Sequence, residues 1–245
     1  MGHRPLTAVR SGVSWLVAMV LVCAAGIEGS ARADDPGGST GRLTAILARG
    51  NDQRVITERG AIRIIGFGQS KAKNGAIFFI HGDPEWFRLG AFTSSLRDQE
   101  TQVLANHLEW LRRIAARGKY ATYFVARTGV FGSDGETSDF RREDSYLSIG
   151  HAIDQVIKRD GIKAAAIAGH SGGAAVTLYH AIDLPNSRVP CYVLASGVYN
   201  LGAMAAFMRA KKVGDGEPAG HERTKLAALA FTPMPTDMAL KLKYF

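Results

Sequence analysis

The stretch Gly169-His170-Ser171-Gly172-Gly173 constrains the fold of this chain more than any other part of it. The apolar run Ala164–Ala168 precedes it, and Ala174-Ala175-Val176-Thr177-Leu178, which reads as a helix, follows. A strand that passes into a helix through so few residues must turn sharply. The central residue is then held in a strained backbone conformation, and glycines two residues to either side avoid clashes with the neighbouring strand and helix. Such a turn pushes the Ser171 Oγ out at the carboxyl end of a sheet. It also aims the Gly172 N–H at any negative charge that develops at the helix N-terminus. Ser171 is therefore the candidate nucleophile and Gly172 a candidate oxyanion donor. His170 should leave the turn in another direction and reads as packing. The alternative, a glycine-rich turn without chemistry, is disfavoured by the strand and helix patterns on its flanks.

The rest of the chain supplies the sheet that such a turn needs. Short apolar runs occur at Ile62–Phe67, Ala76–Ile80, Thr122–Ala126, Ala164–Ala168 and Cys191–Ala195. Each is bounded by Gly, charge or Pro, as strands buried on both faces require. The first is expected to pair antiparallel with the segment around Leu43–Leu47. Between the runs, Leu104, Leu108, Leu111 and Ala115, and again Ile149, Ile153, Val156 and Ile157, recur at helical spacing, so each segment presents one apolar stripe. Strands alternating with such helices predict an α/β domain with a mostly parallel sheet and helices on both faces. At 245 residues there is room for one such domain.

The run Ala76–Ile80 ends in His81-Gly82-Asp83-Pro84-Glu85-Trp86. The order strand, His-Gly, helix, strand, helix, strand, G-x-S-x-G resembles the α/β-hydrolase family from about Ile62 to Ser196. The resemblance implies that the loop after the His-Gly strand gives a second oxyanion donor, here the amide of Asp83, paired with that of Gly172. Pro84 has no N–H to offer, in keeping with a donor one residue earlier. His81 corresponds to a turn-packing residue. The His-Gly-Asp-Pro-Glu-Trp wording is also similar to haloalkane dehalogenases, but those carry Asp at the elbow where this chain has Ser171. Arg127-Thr128-Gly129-Val130-Phe131-Gly132-Ser133-Asp134-Gly135 resembles a segment that shapes the pocket rim, and reads equally well as a plain glycine turn. Within the family, the loop wording is closer to esterase-like members and the peptidase relatives of prolyl oligopeptidase than to lipases.

A serine hydroxyl needs an imidazole to take its proton and a carboxylate to hold that imidazole. In the family these follow the nucleophile in the order acid, then histidine, each after a further strand. After Ser171 come His180, Asp183, Asp215, Glu217, His221, Glu222 and Asp237. His180 and Asp183 fall on the helix that follows the elbow. Asp215 and His221 are the remaining triad candidates, although they lie only six residues apart in a Gly-rich stretch with no strand between them. Leu240–Phe245 alternates like the start of a strand, and nothing follows it. The expectation is a sheet lacking its last strands, as in a shortened hydrolase. Residues 197–235 could form a cap, in which Met204, Phe207 and Met208 offer an apolar face.

The first 33 residues differ from the rest. His3, Arg4 and Arg10 precede an apolar run from Val13 to about Ile27, and Ala31-Arg32-Ala33 supplies small residues where a signal peptidase reads. The run is shorter than the roughly 18–20 apolar residues that span a bilayer. Residues 1–33 are thus expected to be a signal peptide and residues 34–42 a flexible mature N-terminus, with order beginning near Leu43 and the hydrolase domain covering 43–245. An exported, periplasmic or extracellular protein without a stable membrane span follows. Cys23 would leave with the signal, so Cys191 reads as a lone, buried small hydrophobe. The net charge of +8 is scattered over Lys and Arg pairs, which argues against nucleic-acid binding. Two functions remain open. One is a serine hydrolase that cleaves a small ester or peptide-like amide and requires no metal or organic cofactor. The other is a catalytically silent module of the same fold.

Overall fold

The computed structural model describes residues 38–83, 94–136 and 142–196. The expected signal peptide, the possible cap, Asp215 and His221 lie outside the described residues. The elements run α1 (Gly38–Leu47), β1 (Asn51–Thr57), β2 (Gly60–Phe67), a short 3-10 turn (Gln69–Asn74), β3 (Ala76–Ile80), α2 (Ser94–Arg117), β4 (Ala121–Val125), α3 (Glu143–Arg159), β5 (Ala165–His170), α4 (Gly172–Asp183) and β6 (Cys191–Ala195). The six strands form one sheet in the order β1-β2-β4-β3-β5-β6. β2 is antiparallel to both of its neighbours, and the β4-β3-β5-β6 portion is parallel.

The sheet carries an apolar layer on each face. On one face, Ile149, Ile153, Val156 and Ile157 of α3 pack with residues of α4 on Ile64, Phe78, Ile80, Tyr123, Val125 and Ile167. On the other, Ile46 of α1 and Leu104, Leu108 and Leu111 of α2 cover Ile65, Phe67, Phe79 and Phe124. Alternate residues of β3 thus enter opposite cores, the period-two rule of a strand buried on both sides. Each such aliphatic side chain contributes about 1.5–3 kcal/mol of burial free energy. Ile153, which is fully buried, sits in the middle of the α3 stripe. Ile153→Ala should cost about 2–5 kcal/mol, read as a lower urea midpoint at unchanged slope. A loss well under 1 kcal/mol would contradict the seating of α3 on the sheet.

Three expectations need correction. Leu43–Leu47 is not a strand: Gly38–Leu47 forms a helix, so regular structure begins inside the segment expected to be flexible. On its outer edge β2 pairs antiparallel with β1, joined to it by the two-residue turn Glu58-Arg59 in the register Thr57↔Gly60. β1 has no apolar run because it is an edge strand in which only Val55 is buried. Finally, β6 is partly rather than fully buried. Among the described residues it is the outermost strand on its side, so Cys191 is half-buried, and what burial it has raises its thiol pKa.

The parallel register brings the carboxyl ends of four strands to one edge. Ile80 lies opposite Val125 and Gly169, and His170 opposite Ala195. From β3 the chain first crosses to β4 on one side and then returns to β5 on the other. The crevice at the ends of β3 and β5 is therefore the topological switch point where α/β sheets place their ligands.

Candidate active site

Ser171 stands at this switch point with φ 51° and ψ −118°, a positive φ that side-chain-bearing residues seldom adopt. Its N–H donates to the Ala195 carbonyl at 2.8 Å, and its carbonyl accepts from Ala174 N at 3.0 Å, so both sides of the turn are tied down. The flanking glycines are needed for space. A Cβ on Gly169 would lie 2.3 Å from the Gly173 carbonyl oxygen and from Thr177 Oγ1. One on Gly173 would lie 2.2 Å from the Ile80 carbonyl oxygen and 2.5 Å from that of His81. The start of α4 thus rests directly on the end of β3, which brings the His81–Asp83 loop beside the elbow. A Cβ on Gly82 would lie 3.0 Å from both the His170 Nδ1 and the Ser171 Cβ.

His81 organises that loop and takes no free part in it. It is buried, stacked on Phe124 at 5.5 Å and set edge-on to Phe131 at 4.6 Å. Its Nδ1 lies 2.6 Å from the Gly82 carbonyl oxygen, and its Nε2 is 3.2 Å from the Arg127 backbone N–H. That pair of contacts defines the neutral tautomer protonated at Nδ1. Burial lowers its pKa well below the usual histidine value; the Arg127 and His107 charges lower it further, and the Gly82 carbonyl and Asp83 oppose them. A base must be able to accept a proton from substrate or nucleophile, and the one unprotonated nitrogen of His81 already holds a backbone N–H.

His180 is also held away from the elbow, through its Nδ1. It is buried, with Nε2 3.4 Å from Asp154 Oδ1 and Nδ1 3.2 Å from the Tyr192 hydroxyl. It lies nine residues beyond Ser171 along α4, about 13 Å by helix rise. Burial of Asp154 works against its ionisation, but the His180 ring beside it and the hydrogen bond from Asn186, at 2.6 Å, outweigh it and leave the pKa below the ordinary value. This cluster fastens α3 to α4 at the far end of the elbow helix. His170, which reads from the sequence as packing, is instead exposed: it leaves the turn on the solvent side, with its Nδ1 3.0 Å from where a Cβ on Gly82 would lie.

Arg127 is the residue whose importance the sequence did not reveal. Its side chain is 1% exposed, and its Nη1 lies 2.6 Å from the Asp83 Oδ1. The pair is set against the elbow: a Cβ on Gly172 would lie 2.0 Å from Asp83 Oδ1 and 2.6 Å from Arg127 Nη1. The segment that follows is far from a plain glycine turn. Asp134 N donates to the Ala61 carbonyl and Asp134 Oδ2 accepts from Ala61 N, at 2.9 and 2.8 Å. Ser133 Oγ accepts from Arg63 N at 2.9 Å, and Phe131 N donates to Glu100 at 2.8 Å. These bonds pin the segment to β2 and α2, and so fix Arg127 beneath the elbow. The one available signal was an apolar strand ending directly on an arginine.

Asp83 and Gly172, the expected oxyanion donors, are thus neighbours beside Ser171, while Asp215 and His221 lie outside the described residues. Among the described residues, no three His, Cys, Asp or Glu side chains gather as a metal site, and no helix is long and apolar enough to cross a membrane.

The alpha/beta hydrolase family's sequence pattern matches residues 77–241, and the chain belongs to that family. Among solved structures it is similar to an esterase from Pyrococcus furiosus, with 14% identity over 74% of this chain and 61% of that one and a TM-score of 0.50. It is also similar to the naproxen esterase (carboxylesterase NP) from Bacillus subtilis, with 20% identity, 65% and 48% coverage and a TM-score of 0.41. A third similar structure is an epoxide hydrolase from an endophytic Streptomyces, with 23% identity, 56% and 34% coverage and a TM-score of 0.37. The chain spans 61% of the Pyrococcus esterase and 48% of the Bacillus one. At 14% identity the likeness to the Pyrococcus esterase shows the fold alone. A search of curated proteins finds no match.

Proposed function

We propose that this chain is an exported serine hydrolase that cleaves an ester or amide bond through an acyl-enzyme on Ser171. The observation that carries the reading is the strained Ser171 turn, held at the switch point of the sheet with the His81–Asp83 loop packed beside it. In this scheme Ser171 Oγ attacks the carbonyl carbon while the Asp83 and Gly172 amides receive the oxyanion. An imidazole takes the hydroxyl proton and passes it to the leaving alcohol or amine, and water then releases the acid. His221, with Asp215 as its carboxylate, is the pair that the sequence offers for this task. An ester is the first substrate class to assay, in keeping with the name of the Pyrococcus esterase. Export rests on residues 1–33, and a mature N-terminus at Asp34 in the secreted fraction is the expected mass-spectrometric result.

A second reading, a silent module of the same fold, draws on the commitment of His81 and His180 to other partners. A fluorophosphonate probe separates the two, because it labels an activated serine and spares an inert one. Covalent labelling of the full chain that maps to Ser171 and is lost in Ser171→Ala is expected. A folded protein that takes up no probe would establish the silent reading instead.

A further inference from the structure

The Asp83 carboxylate poses an electrostatic problem for the proposed chemistry. Its Oδ1 lies against Gly172, whose amide is to receive an oxyanion, and it is set at the N-terminal end of α4, where that negative charge would form. A fixed carboxylate there competes with the oxyanion for the same helix end and repels it. The fold answers with Arg127. The guanidinium Nη1 is 2.6 Å from the same Oδ1 and, like it, touches the space above Gly172. Its position is set from both ends. The Arg127 backbone N–H is held by His81 Nε2 at 3.2 Å, and the loop beyond closes through Gly129 N to the Asp134 carbonyl at 2.9 Å. A buried arginine is costly to desolvate, so its placement against the Asp83 carboxylate beside the elbow calls for an explanation.

We propose that Arg127 is a charge-compensating positioning residue of the oxyanion site: by cancelling the Asp83 carboxylate it allows negative charge to develop at the Asp83 and Gly172 amides. This rests on the serine-hydrolase reading, and it assigns the arginine of the rim segment a role distinct from lining a pocket. The two members of the pair then have opposite effects on the rate. Removing the cation leaves a carboxylate facing the oxyanion. Removing the carboxylate's charge leaves a cation there. A unit charge near the reacting oxygen, screened by the water that enters where the side chain is cut back, changes a rate by on the order of ten- to a hundredfold.

The test is the second-order rate of Ser171 phosphonylation by a fluorophosphonate, a reaction that also builds negative charge on an oxygen at this position, measured by mass spectrometry on the full chain. Arg127→Met should slow labelling about ten- to a hundredfold, and Asp83→Asn should speed it several-fold. The double variant should recover most of what Arg127→Met alone loses. Slowing in both single variants, or no acceleration in Asp83→Asn, would show a purely structural pair and overturn the inference. Should Arg127→Met lose its cooperative unfolding transition, the sign of the Asp83→Asn effect still decides. Failure of the wild-type chain to label removes the serine-hydrolase reading and this inference together, whereas a labelled wild type with insensitive variants removes only the inference.

Discussion

Replacing Gly173 with alanine is expected to destabilise the protein by about 3 kcal/mol or more, a large loss for the addition of one methyl group. The cause lies in what surrounds the added carbon. It would meet the Ile80 carbonyl oxygen at 2.2 Å and the His81 carbonyl oxygen at 2.5 Å, both main-chain atoms at the end of a central strand. A flexible side chain could swing aside, but β3 is paired on both edges, to β4 and β5. Relief therefore requires lifting the first turn of α4 off the sheet, which separates the elbow from the His81–Asp83 loop. Stability and fluorophosphonate labelling should fall together. Gly41 is the natural control: it lies in α1 with nothing within 4 Å of an added Cβ, and alanine there should be neutral or stabilising by up to about 1 kcal/mol. Urea midpoints of the two variants check the contrast. A Gly173→Ala protein as stable as wild type would mean that α4 does not sit on β3 as described.

The same local physics explains what could be read from the sequence. β3, β4 and β5 are buried on both faces, so their apolar runs announce them, and the G-x-S-x-G turn is specified within five residues by its own steric demands. The stripes of α2 and α3 are legible because a helix facing a sheet must repeat its apolar side chains at helical spacing. Where a segment's structure depends on distant partners, the sequence is silent. β1 is polar, and beyond its hairpin with β2 it is held from far along the chain, by Arg54 Nη1 donating to the Gly132 carbonyl at 2.6 Å and Gln155 Nε2 donating to the Ile56 carbonyl at 3.1 Å. The first residues of α1, Gly-Ser-Thr-Gly, have the composition of a turn. They become helical in a segment whose Leu43, Ile46 and Leu47 pack on the α2 core and whose Arg42 donates to Asn106 of α2 at 2.9 Å. The Arg127–Asp83 pair joins residues 44 positions apart: the sequence marks Asp83 for its backbone amide and Arg127 as the head of a glycine-rich segment, and nothing local signals that their side chains meet.

Acidification from pH 7 to about 4.5 should destabilise the chain through the histidines whose pKa the fold lowers before its paired carboxylates matter. His107 of α2 packs against Phe79 at 5.5 Å and Phe124 at 5.8 Å, with Nδ1 2.9 Å from the Val103 carbonyl oxygen. Burial lowers its pKa from 6.5 to about 4; the Val103 carbonyl opposes the shift and His170 adds to it. The folded state therefore keeps His107 neutral in a range where the unfolded chain takes up a proton. Its contribution is intact above about pH 6.5, decreases as the pH falls, and totals about 3 kcal/mol lost by pH 4. His81 shifts in the same direction and steepens the slope. The carboxylates act lower: hydrogen bonds from Arg112, against the cost of burial and with help from Arg113, bring Glu109 to about 2, and Asp154 also lies below its usual value. His107→Phe, an apolar ring for the same aromatic cluster, should flatten the dependence of the urea midpoint on pH between 6.5 and 4.5. An unchanged slope would assign the acid sensitivity elsewhere. His81 contributes to the part that remains in this variant, and there stability and site are coupled. A proton on His81 Nε2 removes the acceptor of the Arg127 N–H, so acid loosens the anchor of the guanidinium beside Gly172 as it weakens the core.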